Sequence, residues 1–562
     1  MESAGSVSLA LKDVAAVRTV TVGDALCRMF SAWGVTASFG VISIHNMPIL
    51  DPMGVKRDIR FVAARGEAGA LNMADAYARV TGSLGIAFTS TGTAAGNAAG
   101  AMIEALTAGS PVLHITGQVP VEHLDRDRAY IHEAPAQLDM LKAVSKKAFR
   151  IDDASTALAI MAEAASCALS APTGPVSVEI AIDVQAAAIA LPESFPALDP
   201  RTLAPDPALV ADLAARLRAA KRPIILLGGG TRGAGAAATA LADAGIGVVT
   251  STNGRGVVAE DHPMNLGAFN CTAEVQALYD SCDLLIAIGT RLRGNETWTY
   301  KLRLPAQTAV VDIDPGADGR AYPNVLFVRG DAGMVLEALA AAAREGLAVE
   351  PQLAADVAAA RDAMVGAIRG DIAPYHALVD ALQDALPEGA AWVRDVTISN
   401  SMWGNRYLRI GDDRAGVHAV GGGIGQGLPM AIGAALGRKA GAVALSGDGG
   451  LSLCLGELAT AVDENAPLTL VLMNDNGYGV IRNIQDAQYG GRKSYSDILV
   501  PDFSMVAGSI GLRHRKVADL AEFPAALAEA LAHDGPNVIE VDMIAIGGFS
   551  KNFAGPPTKD RQ

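Results

Sequence analysis

Apolar residues in this chain fall into short runs separated by stretches in which apolar and polar positions recur at helical spacing, with Gly-rich turns between the two. From about Val20 onward this alternation predicts parallel α/β layers. IRFVAARGE reads as a strand ending near Ala64, and EAGALNMADAYARVTG as a helix from about Glu67 to Val80 stopped by Gly82. LGIAFTS is a strand, STGTAAGN a small-residue turn, AAGAMIEALTA a helix and PVLHITG a further strand. Together they predict an N-terminal domain over residues 1–190.

Pro192, Pro196, Pro200, Pro205 and Pro207 exclude a continuous helix or central strand, so a linker is expected there. The second domain, 191–350, takes its strands from PIILLGG, IGVVTST, DLLIAIG and TAVVDID. An Ala-rich helix from about Ala354 to Ile368 leads through Pro374 into the third, 351–547, with strands at AWVRDV, AVALSG, LTLVLMN and NVIEVDM. Residues 548–562 form a polar tail. The expected fold class is α/β, with three doubly wound parallel-sheet domains and no short-period repeat.

Composition narrows the function. At a length of 562 residues, three large domains are expected. With 45 Lys and Arg against 60 Asp and Glu, the net charge of −15 argues against nucleic acid or an anionic membrane as partner. Half of the residues are hydrophobic and 19% charged, which suits large buried cores. Cys27, Cys167, Cys271, Cys282 and Cys454 are scattered and include no CxxC pair, so a reduced, cytoplasmic compartment is expected. No apolar run approaches the ~20 residues that span a bilayer. The start MESAGSVSLALKD lacks the basic and apolar regions of an export signal.

The strongest chemical signal is ALSGDGGLSLCLGELATAVDENAPLTLVLMNDNGYG. Gly447-Asp448-Gly449-Gly450 follows a strand and precedes a helix, where small residues let backbone N–H groups approach an anion. Asp448 would be a hard oxygen ligand for a divalent cation beside a phosphate. After one helix centred on Glu457 to Val462, the strand LTLVLM delivers Asn474-Asp475-Asn476-Gly477. Two parallel strand ends can then bring Asp448 and Asp475, 27 positions apart, to one metal.

These residues make the chain resemble the thiamine diphosphate enzymes, in the branch of acetolactate synthase, benzaldehyde lyase and the 2-oxoacid decarboxylases. That family's motif is GDG followed about 27 residues later by Asn, and it holds Mg²⁺ against the cofactor's diphosphate. The resemblance assigns Asp448, Asp475 and the backbone oxygen of Gly477 to the metal, with Gly447, Gly449, Gly450 and Tyr478 beside the cofactor. Asp475 departs from the family's Asn. A second carboxylate next to a diphosphate is expected to tighten the metal but weaken the cofactor unless a cation compensates. RGEAGALNMADAYARVTG places Glu67 where the family has the carboxyl that hydrogen-bonds the aminopyrimidine ring and promotes deprotonation of the thiazolium carbon. In HAVGGGIGQG, Gly422 would present its carbonyl to the exocyclic amine and Ile424 would wedge between the rings. Thr397, Ser399 and Asn400 in RDVTISNSMWG are candidates at the diphosphate end.

His45 and His132 fall where the family places substrate-side groups, either able to relay protons to a carbonyl oxygen. His45 matches a loop histidine of benzaldehyde lyase, and His132 a position commonly held by Gln. His114 and His418 read as structural. Ile481 and Ile484 predict an apolar pocket wall, with Ile484 at the place of an acetolactate synthase Trp. In the middle domain, Gly228, Gly230 and Gly233 satisfy GxGxxG. The next strand nevertheless ends in Thr250, Ser251 and Thr252 rather than an acidic residue, which discounts NAD. The resemblance implies a Rossmann-like domain that holds FAD or ADP in some relatives; FAD is not favoured here.

The resemblance covers about residues 18–547, in the order pyrimidine-binding, central and diphosphate-binding domain. It implies active sites shared between subunits, hence a homodimer or homotetramer, and a tail that folds over the site. The expected function is thiamine diphosphate- and Mg²⁺-dependent decarboxylation of a 2-oxoacid, carboligation, or both. The alternative within the class is an acyloin lyase or carboligase acting on acyloins and aldehydes. Outside it stand an FAD-dependent 2-oxoacid oxidase and a non-catalytic homologue; the Asp475 departure favours the latter and Glu67 argues against it.

Overall fold

The computed structural model describes residues 18–555, so the N-terminal peptide through residue 17 and the tail beyond Gly555 lie outside the described residues. Three parallel sheets follow one another along the chain. The first has the spatial order Arg60–Ala63, Ala37–Gly40, Gly85–Thr89, Val112–Gln118, Val176–Ala181, Lys147–Ile151. An antiparallel pair, Thr19–Thr21 with Ala188–Ala190, ties the two ends of this unit together. The second runs Gly247–Thr250, Pro223–Leu227, Leu284–Ile288, Thr308–Asp312, Leu326–Arg329. The third runs Gly416–His418, Ala391–Arg394, Ala442–Gly447, Leu468–Asn474, Asn537–Asp542, Arg513–Val517.

Strands absent from the sequence reading include Leu326–Arg329 at one edge of the middle sheet, and Gly416–His418 and Arg513–Val517 at the two edges of the third. Edge strands are short or polar because one side meets solvent, so the apolar signal fades. Between Gly447 and Leu468 the chain makes two helices, Asp448–Leu453 and Glu457–Asp463, rather than one. Residues 191–206 carry neither helix nor strand, as the prolines require, until Asp206 accepts from the Ala208 N–H at 2.8 Å and caps the helix Pro207–Ala219.

The helix Glu67–Thr81 ends at Gly82, whose φ of +70° suits a residue without Cβ. It is buried from Gly69 through Val80, because it is covered on one side by its own sheet and on the other by the helix Gly427–Gly437 of the third unit. Their backbones touch: a Cβ on Gly433 would lie 2.1 Å from the Met73 carbonyl oxygen. One apolar core therefore runs through both units, from Phe39 and Met73 to Met430 and Leu470. A second joins the middle unit to the third through Ile286, Trp392 and the stacked Trp403. Among the described residues no helix is long and apolar enough to cross a membrane.

Candidate active site

Parallel strands deliver all their C-terminal ends to one edge, where ligands of open α/β sheets bind. At that edge of the third sheet lies a cavity of about 450 Å³. Its wall comes from the loops after four strands: Thr397, Gly422 with Ile424, Gly447 through Gly450, and Asp475 with Gly477, Tyr478 and Ile481. The ladder explains the meeting. Gly447 pairs with Met473, so the residues that follow each strand emerge side by side.

Ser399 and Asn400 are buried behind this wall, the Asn400 N–H donating to the Thr397 hydroxyl at 3.0 Å. Ile484 sits under the tail instead of in the cavity wall: a Cβ on Gly555 would come within 2.8 Å of it, and the Gln488 side-chain amide donates to the Ala554 carbonyl at 2.7 Å. The tail thus crosses the helix Gly479–Gln488 that carries Ile481.

Asp448 is fully buried, and its carboxylate accepts from the Gly477 N–H at 2.6 Å and the Asp475 N–H at 3.3 Å. The glycines around it are obligatory for space. A Cβ on Gly449 would stand 2.7 Å from the Tyr478 ring and 3.0 Å from the Gly477 carbonyl oxygen, and one on Gly450 2.6 Å from Asp395. Burial raises the Asp448 carboxyl above its ordinary range, and burial together with the Asp448 charge pushes Asp475 up to about 7. Two carboxylates and a backbone carbonyl facing one space form a hard-oxygen donor set, and their mutual repulsion is what a divalent cation would relieve. The Arg482 guanidinium stands 3.2 Å from the Asp475 carboxylate, supplying the cation that the extra acid requires.

Asp395, also fully buried, accepts from the Val396 N–H at 2.8 Å and the Gly425 N–H at 3.1 Å, holding the glycine-rich loop of Gly422 and Ile424. Burial lifts it from 3.8 to about 6. The folded protein then binds one more proton than the unfolded chain between those values. This group's stabilisation is complete below the unfolded value and is lost as pH rises through the folded one, a difference of about 3 kcal/mol. Asp395→Asn is expected to flatten that part of the stability profile, as read by denaturant unfolding from pH 4 to 7.

The N-terminal sheet presents its own C-terminal edge. Glu67, half-buried at the first residue of its helix, accepts from the Asn97 side chain at 3.2 Å and does not line the cavity of the same chain. The start of this helix has no side-chain cap, and Glu457 of the third unit anchors the turn just before it by accepting from the Arg65 N–H at 3.1 Å and from the Gly66 N–H. His45 is buried with its ring 5.3 Å from that of His132, edge to face. Burial lowers its pKa, His132 adding in the same direction, so it is neutral at neutral pH. His114 bonds Thr89 at 2.9 Å and Ser177 at 3.1 Å inside the sheet, as its structural reading requires.

The contacts that hold the Gly422 loop from the other units escaped the sequence reading. Glu104 accepts from the Val420 and Gly421 N–H groups at 2.6 and 2.7 Å, and its other partner is buried Arg79 at 3.1 Å. Arg293 of the middle unit donates to the Val420 carbonyl at 3.2 Å. The loop that bears Gly422 is thus held by all three units. The one visible signal was a lone Glu inside the apolar run AAGAMIEALTA. In the middle unit Gly228 and Gly230 serve close packing, since a Cβ on them would lie 2.1 Å from the Gly289 carbonyl oxygen and 3.0 Å from the Gly289 Cα, whereas Gly233 has open space and a φ of +86°.

Three family models match in chain order: the thiamine pyrophosphate enzyme N-terminal TPP binding domain at residues 20–142, the central domain at 210–339, and the C-terminal TPP binding domain at 398–541. The chain belongs to the thiamine pyrophosphate enzymes, the cofactor also called thiamine diphosphate. It is 33% identical over 539 residues to a probable 2-ketoarginine decarboxylase of Pseudomonas aeruginosa, covering 93% of this chain and 94% of the relative. A probable acetolactate synthase large subunit of Methanocaldococcus jannaschii is 27% identical, with 95% of each chain covered. The acetolactate synthase isozyme 2 large subunit of Escherichia coli is 28% identical, with 91% of this chain and 93% of the relative covered.

Proposed function

We propose that the protein is a thiamine diphosphate- and Mg²⁺-dependent decarboxylase of a 2-oxoacid. The observation that carries this reading is the cavity at the strand ends, where Asp448, Asp475 and the Gly477 carbonyl stand beside a bed of glycines. Asp448, Asp475 and Gly477 would hold Mg²⁺, and Thr397, Gly422, Ile424, Gly447, Gly449, Gly450 and Tyr478 would surround thiamine diphosphate. Bound there, the cofactor supplies a carbon nucleophile and an electron sink for loss of the carboxylate. The Glu67 carboxyl, steadied by Asn97, would hold or give a proton at the aminopyrimidine. Neutral His45, with His132 beside it, holds or gives a proton at the substrate carbonyl oxygen. Ile481 forms the apolar side of the substrate pocket; Ser399 and Asn400 support Thr397 from behind.

Glu67, His45 and His132 are absent from the cavity wall of their own chain, which supports a site completed by a second copy. Large apolar residues are exposed on both halves: Ile42, Ile44 and Met47 around His45, and Ile424, Leu453 and Ile481 around the cavity. A homodimer or homotetramer would bury them. The free cysteines agree with a cytoplasmic setting.

Decarboxylation stands ahead of carboligation because the relative at 33% identity bears a decarboxylase name, while the two acetolactate synthases are at 27% and 28%. The paired histidines favour acyloin cleavage as the second reading. The test is CO₂ release from pyruvate, an aromatic 2-oxoacid and a guanidino-2-oxoacid, run beside cleavage of an acyloin. CO₂ from any of the acids supports the proposal; cleavage without CO₂ reverses the order.

A further inference from the structure

We infer that Arg482 is the positioning residue that makes a carboxylate usable at 475, and this rests on the metal site proposed above. Arg482 lies in the first turn of the helix Gly479–Gln488 and reaches back over the loop before it. One end of its guanidinium meets the Asp475 carboxylate at 3.2 Å and also the Asp475 carbonyl. The other end donates to the Asn476 carbonyl and to Asp497, both at 3.0 Å. Gly477 leaves room for it, since a Cβ there would lie 2.9 Å from the guanidinium.

Two consequences follow from this placement. Two carboxylates and a diphosphate around one divalent cation leave an excess of negative charge, and Arg482, shared between Asp475 and Asp497, offsets part of it. The same fork fixes the loop from Asp475 to Gly477, and so the direction of the Gly477 carbonyl. A lysine carries the charge but cannot span these acceptors. Asp475 and Arg482 therefore act as a pair, each suited to the other, in place of a neutral amide.

The test is calorimetric titration of the metal-stripped full chain with thiamine diphosphate at fixed Mg²⁺, for the native protein, Arg482→Met, Asp475→Asn and the double variant. Arg482→Met is expected to weaken binding about 10-fold or more with Asp475 present, but only about 3-fold or less in the Asp475→Asn background, a non-additive cycle. Arg482→Lys should fall between. Equal losses in both backgrounds, or none, overturn the pairing while leaving the cofactor reading intact. Failure of the native protein to bind overturns both. Thermal unfolding of the cofactor-free variants separates lost binding from lost fold, and Arg482→Gln replaces Arg482→Met if that variant does not fold.

Discussion

Glu67→Gln is expected to bind thiamine diphosphate and Mg²⁺ like the native protein and to lose CO₂ release by about 10²- to 10⁴-fold, the range of a positioned acid or base. The substitution is close to isosteric, and the carbonyl of the new amide can still accept from Asn97. It removes only the exchangeable proton. The local fold does not rest on that carboxyl alone, because Glu457 from the third unit anchors Arg65 and Gly66 just before the helix. Steady-state CO₂ release beside calorimetric cofactor binding checks both halves of the expectation. Unchanged turnover would remove Glu67 from the chemistry.

Asp448→Ala is expected to fail at the other end of the cofactor. Its carboxylate is fully buried and receives two backbone N–H groups from the loop that holds Asp475 and Gly477. Truncation leaves those donors without a partner, at about 1–3 kcal/mol. Metal-dependent binding should weaken by more than about 100-fold, beyond the 10- to 100-fold typical of groups that only support a metal ligand. Calorimetry and a thermal unfolding curve without cofactor separate the two effects.

The two variants test each other. If the site is shared between copies, random exchange of subunits between Glu67→Gln and Asp448→Ala makes half of the dimers mixed, each with one complete site. About one quarter of native turnover should then return on mixing, as closed two-fold assembly requires. No recovery after exchange would place both residues in one chain's site.

The cofactor loops were legible because a local pattern specifies them. GDGG and NDNG each follow an apolar strand, and neighbouring parallel strands leave those loops no other place than side by side. The helix Glu67–Thr81 was legible for the same kind of reason, with Gly82 at its end. Glu104, Glu457 and Arg293 were not, because their partners lie in other units, more than a hundred positions away along the chain. Arg482 is closer in sequence to Asp475, but its contact depends on the chain turning back at Gly477, where φ is +142°. Apolar periodicity records burial; it does not record which buried acid meets which distant N–H. The edge strand Arg513–Val517 was lost for the converse reason, its sequence RHRKV being mostly charged.

The grip on the glycine-rich loop sets a rule for recombination. The three sheets invite exchange of whole domains between relatives, with crossovers in the linkers. Yet Val420 and Gly421 answer to Glu104 from the first unit, and Val420 also to Arg293 from the second. A chimera inherits a working loop only when these residues travel with it. The middle unit, which contributes nothing to the cavity wall, is therefore no neutral spacer, and the unit that can be inherited by itself is the full trio.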